Sequence, residues 1–291
     1  MSWRTVVITK PSKLDFSMGY LVVRDVTATI KVHISEISVL MIENTATSLT
    51  AALLSALMQQ KVKVIFCDSK RNPEAELIPY YGSHDCSLKW KKQIQWDPFY
   101  KEAVWTEIVT EKIRNQWNLL VRYDFPQAAI LDSYLSDISW KDATNREGHA
   151  AKVYFNALFG KSFSRAQENP VNAALNYGYS LLLSCFNREV VACGYHTELG
   201  LFHDNMFNSF NLSCDLMELF RPLVDAMVFQ MEPKDFGKDE KRQMLEVLYQ
   251  DVMIDERKQS CMNAIKVYCQ SIFRALEEKD IAQIRFMKDE L

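Results

Sequence analysis

The amino-acid sequence predicts an α+β protein in which a small N-terminal β-rich domain is followed by a larger all-α domain. Short β-branched runs fill the N-terminal part, while beyond Trp96 apolar residues recur with the period of a helix. A polar stretch that contains prolines and lysines separates the two patterns. A chain of 291 residues is also long enough for two domains. We therefore predict a β-rich domain over 1–72, a linker over 73–95 and an α-helical domain over 96–291.

The β-rich prediction depends on short runs of alternating or β-branched residues bounded by polar or glycine-containing turns, such as the turn at Gly19. One helix is expected before the last strand, because Leu53 and Leu57 belong to an apolar series at helical spacing. Thr47 or Ser48 can cap its start. The strands are predicted at 3–9, 20–23, 30–34, 39–42 and 62–67.

The helical prediction is clearest where residues that begin and end helices are present. The longest helix should begin at Asn169-Pro170 and end at Gly194, and its long apolar side marks it as a buried central helix. Another helix begins near Ser213 and should bend or break at Pro222. The remaining helices are expected around 105–113, 131–138, 144–160, 241–254 and 261–276.

Composition indicates a soluble globular protein of the cytoplasm, with 48% hydrophobic and 24% charged residues and no stretch long enough to span a membrane. The N-terminus lacks the pattern of a secretory signal. The seven cysteines are odd in number and scattered, so we expect buried free thiols and neither disulfides nor a zinc site. The net charge of −3 does not by itself indicate a nucleic-acid partner, although basic residues on one face can still attract DNA.

One group of polar residues combines an imidazole with several carboxylates: Glu147, His203, Asp215 and Glu218. Carboxylate oxygens are hard ligands that suit Mg²⁺ or Mn²⁺, and a single imidazole shifts the preference slightly towards Mn²⁺. Asp215 and Glu218 stand three residues apart on a predicted helix, so both point to one face. Their mutual repulsion calls for a cation or an arginine between them.

Each of these residues also has a structural interpretation. Glu147 follows Thr144 by three residues in the pattern of a capping box. Asp215 and Glu218 lie near a predicted helix start, where the macrodipole favours acids, and His203 can be an ordinary exposed loop histidine. The spacing alone does not decide between a metal site and helix capping.

Longer stretches of sequence add a family resemblance. Four segments in the helical half occur in the order found in CRISPR-associated adaptation integrases, and the chain resembles that family along nearly its whole length. The N-terminal segments 3–7 (WRTVV) and 65–68 (IFCD) resemble the branch that accompanies single-effector RNA-guided nucleases. The four segments are 145–151 (NREGHAA), 169–179 (NPVNAALNYGY), 200–203 (GLFH) and 215–225 (DLMELFRPLVD).

The resemblance assigns roles to the polar group. Glu147, His203 and Glu218 match the family's three catalytic metal-ligand positions, and Asp215 matches a second acid close by. Many relatives carry aspartate where this chain has Glu218, which leaves ligation intact but can alter its geometry. His149 stands two residues after Glu147, a spacing that points it away from that side chain on a helix and so favours packing or capping.

The resemblance also implies an activity, in which a divalent cation, Mg²⁺ or Mn²⁺, supports the attack of the 3′-hydroxyl of a captured DNA fragment on the leader-proximal repeat of a CRISPR array. The helical domain is then catalytic and the β-rich domain mediates homodimerisation. The expected partners are double-stranded DNA, a second adaptation subunit bridging two dimers, an RNA-guided effector nuclease and a ring-forming DNA-binding accessory protein, all in a prokaryotic cytoplasm and without a membrane. Two alternatives stay open: a stand-alone metal-dependent nuclease acting on branched or single-stranded DNA, and a non-catalytic scaffold.

Basic residues near the motif segments are candidates for contact with the DNA backbone: Arg146, Lys152, Arg165, Arg188 and Arg221. In the predicted linker, Lys89, Lys91 and Lys92 surround Trp90, a combination that suits backbone contact with base stacking. A solvated linker explains the same run equally well.

Overall fold

The computed structural model describes residues 4–80 and 82–288. The chain divides into two compact units, Met1–Gly82 and Ser83–Leu291. The division falls inside the segment 73–95 that the sequence predicts as a linker. Trp3, predicted in the first strand, lies outside the described residues.

The described part of the N-terminal unit contains two four-stranded sheets and a helix. The first sheet has the order β1-β5-β7-β8, with three parallel strands and β8 antiparallel at one edge. The second has the order β4-β3-β2-β6. The strands are β1 (Arg4–Ile8), β2 (Lys13–Ser17), β3 (Tyr20–Arg24), β4 (Thr29–His33), β5 (Ile37–Ile42), β6 (Ser48–Leu49), β7 (Lys63–Cys67) and β8 (Pro73–Leu77), and the helix is α1 (Ala51–Gln59).

The core of this unit forms around β5, in which all residues are buried, as expected for a strand that reads as a continuous apolar run. Leu53 and Leu57 of α1 pack in the same cluster. The cap of α1 differs from the prediction. Ser48 pairs in β6, and the side chain of Thr50 accepts the hydrogen bond from the Leu53 N–H that closes the first turn.

The helical unit contains the remaining elements. A long helix, α3, contacts α4, α5 and α8, and α6 packs against α7, α8 and α10. The helices are α2 (Cys86–Ile94), α3 (Pro98–Arg122), α4 (Ala128–Leu135), α5 (Arg146–Phe159), α6 (Pro170–Ala192), α7 (Asn211–Met217), α8 (Arg221–Met231), α9 (Lys238–Met244) and α10 (Cys261–Glu278), and the strands are β9 (Asp251–Ile254) and β10 (Arg257–Ser260).

The predicted central helix is confirmed as α6. Asn169 caps it by accepting a hydrogen bond from the Asn172 N–H at 2.8 Å, and Gly194 follows its end with a φ of +88°. At Gly178 an added Cβ would lie 2.5 Å from Cγ1 of Val224. This glycine therefore allows α6 and α8 to approach closely. A break is present a few residues before the predicted position: a 3₁₀ turn over Glu218–Phe220 separates α7 from α8, and Pro222 is the second residue of α8.

Further parts of the structure differ from the sequence prediction, among them β2, where no strand was predicted. The segment 73–95 contains β8, which pairs with β7, and α2, so most of the expected linker is regular structure. The region 241–254, predicted as one helix, instead runs from α9 into a hairpin of β9 and β10. Asp255 and Glu256 form its turn with φ values of +51° and +58°. The sequence does not predict this turn, because it has neither glycine nor asparagine at these positions.

All seven cysteines lie in the described part of the chain and are free thiols; five are buried, as predicted, while Cys193 and Cys214 are partly exposed. Within that part, no helix is both long and apolar enough to cross a membrane.

Candidate metal centre

Glu147 and Glu218 meet at the ammonium group of Lys112. Lys112 lies on α3, Glu147 in the first turn of α5, and Glu218 in the turn between α7 and α8. Lys112 Nζ is 2.5 Å from Glu147 Oε1 and also bonds Glu218 Oε2. Residues that are 35 and 106 positions away from the lysine along the chain are thus brought to one cation.

The start of α5 shows that Glu147 has no capping role. The carboxylate of Asp142 accepts hydrogen bonds from the N–H groups of Arg146 at 2.7 Å and Glu147 at 3.0 Å. Thr144, the other half of the suggested capping box, contacts Ser139 at 3.4 Å. The Glu147 carboxylate is therefore directed to Lys112, and the capping interpretation of this residue is not supported.

Glu218 is buried and is held by two cations. Its Oε2 bonds Lys112, and its Oε1 lies 2.9 Å from Nη2 of Arg221. Burial alone would raise the pKa of Glu218, but Lys112 and Arg221 together hold it below its usual value. Burial would likewise lower the pKa of Lys112, yet Glu218 and Glu147 raise it. Both partners are therefore charged at neutral pH.

His203 is oriented by Asp215. This fully buried carboxylate lies 2.5 Å from Nδ1 of His203 and accepts the backbone N–H groups of Leu201 at 2.6 Å, Phe202 at 3.0 Å and His203 at 3.2 Å. The hydrogen bond to Asp215 raises the pKa of His203, against its partial burial, and the charges of Glu218 and Glu147 act in the same direction. Asp215 thus fixes the imidazole by Nδ1 and leaves Nε2 as the nitrogen for a ligand role.

The loop that carries His203 is tightly folded around Asp215. An added Cβ at Gly200 would lie 2.3 Å from the carbonyl oxygen of His203 and 2.9 Å from Oδ2 of Asp215, so glycine is required by space. On the outer side, the ring of Phe202 stacks on Trp105 at 4.5 Å, and the His203 ring meets Trp105 edge-on at 5.8 Å. These contacts hold the histidine beside α3.

The donor atoms suit a hard divalent cation. Two carboxylates from separate elements converge on a point that an ammonium group occupies, and an oriented imidazole lies within electrostatic reach of both. Among the described residues, no three His, Cys, Asp or Glu side chains are grouped as a ready metal site. Glu147, Glu218 and His203 therefore fit Mg²⁺ or Mn²⁺ by the chemistry of their donors, with the lysine in the position of the cation.

Lys112 and Asp225 are site residues that the sequence reasoning missed. Lys112 interrupts the apolar stripe of α3, and a charge on a buried helix face requires a partner, which is the signal available from the sequence. Asp225 gave the same signal, because it interrupts the apolar run of α8, and it also ends the matched segment 215–225. It accepts hydrogen bonds from the hydroxyls of Tyr154, at 3.0 Å, and Tyr179, and burial raises its pKa to about 6 against these bonds and the nearby Arg221.

The predicted DNA-contact residues have different surroundings. Lys152 is exposed. Arg221 is bound to Glu218, with its guanidinium 4.8 Å from the centre of the Tyr179 ring. Arg188 is 19% exposed and pairs with its neighbour Glu189 at 2.7 Å, so its charge is largely enclosed in the helical unit.

Arg146 and Arg165 also have partners. Arg146 pairs with Asp137 and lies 5.2 Å from the centre of the Tyr134 ring. Arg165 donates to side-chain oxygens of Asn172 and Asn176, each at 2.5 Å. Both arginines are partly exposed and can therefore reach a phosphate. Because they already have partners, such a contact requires them to share or exchange those partners.

The basic run around Trp90 forms part of α2. The Trp90 ring lies 4.1 Å from the ring of His196, and Lys89 and Lys92 pair with Glu277 at 2.7 Å and 3.1 Å. These contacts attach α2 to the rest of the helical unit and account for Lys89, Trp90 and Lys92, whereas Lys91 is exposed. His149 is exposed, and its ring lies 6.4 Å from that of Tyr134.

The fold and the side chains together define a two-unit protein with a cluster of carboxylates and an oriented histidine in its helical unit. Such a cluster is common to metal-dependent enzymes that act on phosphodiesters. The chain belongs to the CRISPR-associated protein Cas1 family, whose family model matches residues 5–256.

Individual relatives agree with this assignment. The CRISPR-associated endonuclease Cas1 of Neisseria meningitidis serogroup C (strain 8013) is 32% identical over 98% of this chain and 96% of its own length. A casposase bound to an integration product has the same fold, with a TM-score of 0.77 and 17% identity over 96% of this chain and 92% of its own. A Cas6-RT-Cas1–Cas2 complex matches 99% of this chain and 36% of its own chain, with a TM-score of 0.73 and 16% identity. The α+β prediction is confirmed.

Proposed function

We propose that this chain joins the 3′-hydroxyl ends of short captured DNA fragments into the leader-proximal repeat of a CRISPR array by transesterification. As a Cas1 family member, the chain is an enzyme of the endonuclease and integrase class. The observation that carries the proposal is the convergence of Glu147 and Glu218 on one cation beside a histidine fixed by a buried aspartate. A helix-capping scaffold does not require that convergence.

In this proposal Glu147, Glu218 and His203 Nε2 hold Mg²⁺ or Mn²⁺. The bound cation would neutralise charge on the phosphate oxygens and help place the attacking hydroxyl in line. Asp215 keeps the ring proton on Nδ1, so that the Nε2 lone pair faces outward as a ligand. Arg221 holds Glu218 from the other side and limits where that carboxylate can move.

The DNA contacts and partners belong to the same proposal. Lys152 is exposed and presents its charge directly to a DNA backbone. Arg146 and Arg221 adjoin the candidate ligands, Arg165 lies near Asp225, and all three have partners of their own. The casposase neighbour was solved with an integration product, and another neighbour belongs to a complex with Cas2. These two neighbours support a DNA substrate and a Cas2-type second subunit.

The N-terminal unit supplies the dimer interface in this proposal. Its two sheets end in edge strands, such as β4, that can pair with a second copy. An RNA-guided effector nuclease and a ring-forming accessory protein complete the expected assembly.

The first prediction tests the catalytic assignment with E147Q, which keeps the shape of the side chain and removes its charge. Purified protein and a second adaptation subunit are incubated with short duplexes bearing free 3′ ends, a repeat-containing plasmid, and Mg²⁺ or Mn²⁺. Joined products are counted by sequencing. We expect E147Q to lose joining by about 100-fold or more, because a ligand and its charge are removed.

E246Q is the matched control, since Glu246 is exposed and lies in the 3₁₀ turn after α9. It should join as well as the unmodified chain. If E147Q retains joining at the level of E246Q, the assignment is wrong. If the unmodified chain cuts branched or single-stranded DNA but never joins fragments with the second subunit present, the stand-alone nuclease is correct instead.

A further inference from the structure

Lys112 supplies the positive charge around which Glu147 and Glu218 are assembled. Its ammonium group bonds a carboxylate oxygen of each, and the residue is only 7% exposed. Ile108 and Ile113, on the same helix, are fully buried. Because water has little access, the two carboxylates need a charge from within the protein to stay together.

The charges of this network balance without a metal ion. Glu218 uses its second oxygen to bind Arg221 at 2.9 Å, so two carboxylates face two fixed cations and their charges sum to zero. A divalent cation on the same carboxylate oxygens would bring that sum to plus two. Two cations that share one pair of ligands repel each other strongly in a buried site. The ammonium and a metal ion therefore exclude each other from these oxygens.

We infer that Lys112 is a built-in counter-cation that competes with the divalent metal for Glu147 and Glu218. The inference rests on the proposed function, because it takes these carboxylates as metal ligands. In the metal-free protein Lys112 holds α3, α5 and the turn after α7 together at the site. Metal binding requires the ammonium to release those oxygens, so the lysine lowers the metal affinity while keeping the ligands assembled.

The second prediction measures this competition with K112M, which keeps the length of the side chain and removes its charge. Mn²⁺ binding to the full-length metal-free protein is followed by isothermal titration calorimetry, and thermal unfolding is recorded with EDTA and with Mn²⁺. We expect K112M to bind Mn²⁺ at least about tenfold more tightly, because breaking two buried ion pairs no longer opposes the metal. With EDTA its Tm should fall, and Mn²⁺ should raise its Tm by more than that of the unmodified chain.

K241M is the matched control, because Lys241 is another buried lysine of the same unit and lies over the Tyr177 and Phe236 rings. Its Mn²⁺ affinity should not change. K112R retains the charge and should not bind more tightly than the unmodified chain. If K112M does not fold, K112Q takes its place and must show the same tightening.

Equal or weaker Mn²⁺ binding by K112M, or by K112Q in its place, overturns the inference, since a lysine that only supports the ligands would give that result. E147Q separates this outcome from failure of the metal centre itself. If the unmodified chain binds Mn²⁺ and E147Q does not, the centre stands whatever Lys112 does. If E147Q binds as the unmodified chain does, the proposed ligands are wrong and the inference falls with them.

Discussion

Asp215 and Asp225 are both buried carboxylates of the helical unit, but they receive hydrogen bonds from different kinds of donor. Asp215 accepts hydrogen bonds from backbone N–H groups and lies against the imidazole of His203. Asp225 has two tyrosine hydroxyls as donors, and burial raises its pKa from an ordinary 3.8 to about 6. Two neutral hydroxyls offset the cost of burying the Asp225 charge only in part, so burial prevails and the pKa rises.

The third prediction follows from the raised pKa of Asp225. Between about pH 4 and pH 6 the native protein holds a proton on Asp225 that the unfolded chain has lost, so the free energy of unfolding falls as pH rises through this window. A shift of roughly two pKa units corresponds to about 3 kcal/mol. D225N removes this titration. Urea unfolding of both proteins at pH 4, 5, 6 and 7 should show the unmodified chain losing stability relative to D225N by up to that amount.

Subtracting the free energy of unfolding of D225N from that of the unmodified chain at each pH cancels the titration of the other groups. The change of this difference with pH therefore reports on Asp225. Parallel stability curves for D225N and the unmodified chain would contradict the prediction. D204N is a suitable control, because Asp204 is exposed and its replacement should leave the pH dependence unchanged.

At the residue scale, the sequence proposed candidate ligands but did not predict their surroundings. Glu147, Glu218 and His203 were found by chemistry and family resemblance, and their roles stay predictions. Lys112 pairs with Glu147, 35 positions away along the chain, and with Glu218, 106 positions away. Only the packing of α3 against α5 and the turn after α7 brings them together, and no local pattern encodes that contact.

At the scale of elements, the start of α5 decides where Glu147 points. Asp142, just before the helix, accepts both N–H groups of its first two residues, so the helix is capped without the glutamate. The position of a candidate metal ligand thus depends on a residue outside both the helix and the family motif.

The fourth prediction compares D142N with T144V. An asparagine keeps one acceptor oxygen and leaves one of the two N–H groups without a partner, so the free energy of unfolding should fall by about 1 kcal/mol. Joining activity should also fall, because the first turn of α5, which carries Glu147, is held less firmly. Urea unfolding and the joining assay measure both effects. T144V should leave stability within about 0.5 kcal/mol, as for an exposed surface change. A larger loss in T144V than in D142N would restore the capping-box interpretation.

Helices with clear end signals were predictable, and elements without them were not. Asn169-Pro170 and Gly194 delimit α6 almost to the residue. The hairpin over 251–260 was missed, because its strands are four residues long and its turn residues, Asp255 and Glu256, are not the usual ones for positive φ. The edge strand β8 was taken for a linker since it begins with proline and carries charged residues, which edge strands tolerate.

At the scale of the whole molecule, the two-part organisation was predictable because the hydrophobic period changes from two to 3.6 along the chain. The division observed between Gly82 and Ser83 lies within the predicted linker. The net charge of −3 was a poor guide to a DNA-related family, because the sum includes the carboxylates of the candidate metal centre and does not show where the basic residues lie.

The fifth prediction concerns the thiols of the whole chain. Five of the seven cysteines are buried, and Cys193 and Cys214 are of intermediate exposure. Burial also raises the pKa of Cys261 and Cys269, which suppresses their reactive thiolate forms. Titration with Ellman's reagent should therefore detect at most two fast thiols in the native protein and all seven in denaturant. More than two fast thiols would show that the buried sites open readily, and fewer than seven in denaturant would indicate a disulfide.

The way Asp215 holds the histidine loop has a consequence for how this protein can diversify. The loop is anchored by the carboxylate of Asp215, which accepts its backbone N–H groups, and by the amide of Asn211, which bonds the carbonyls of Glu198 and Asn205. Met206 and Phe207 are each 87% exposed. Substitutions there can accumulate without moving the imidazole, so the sequence of this short segment can vary while the position of His203 stays fixed.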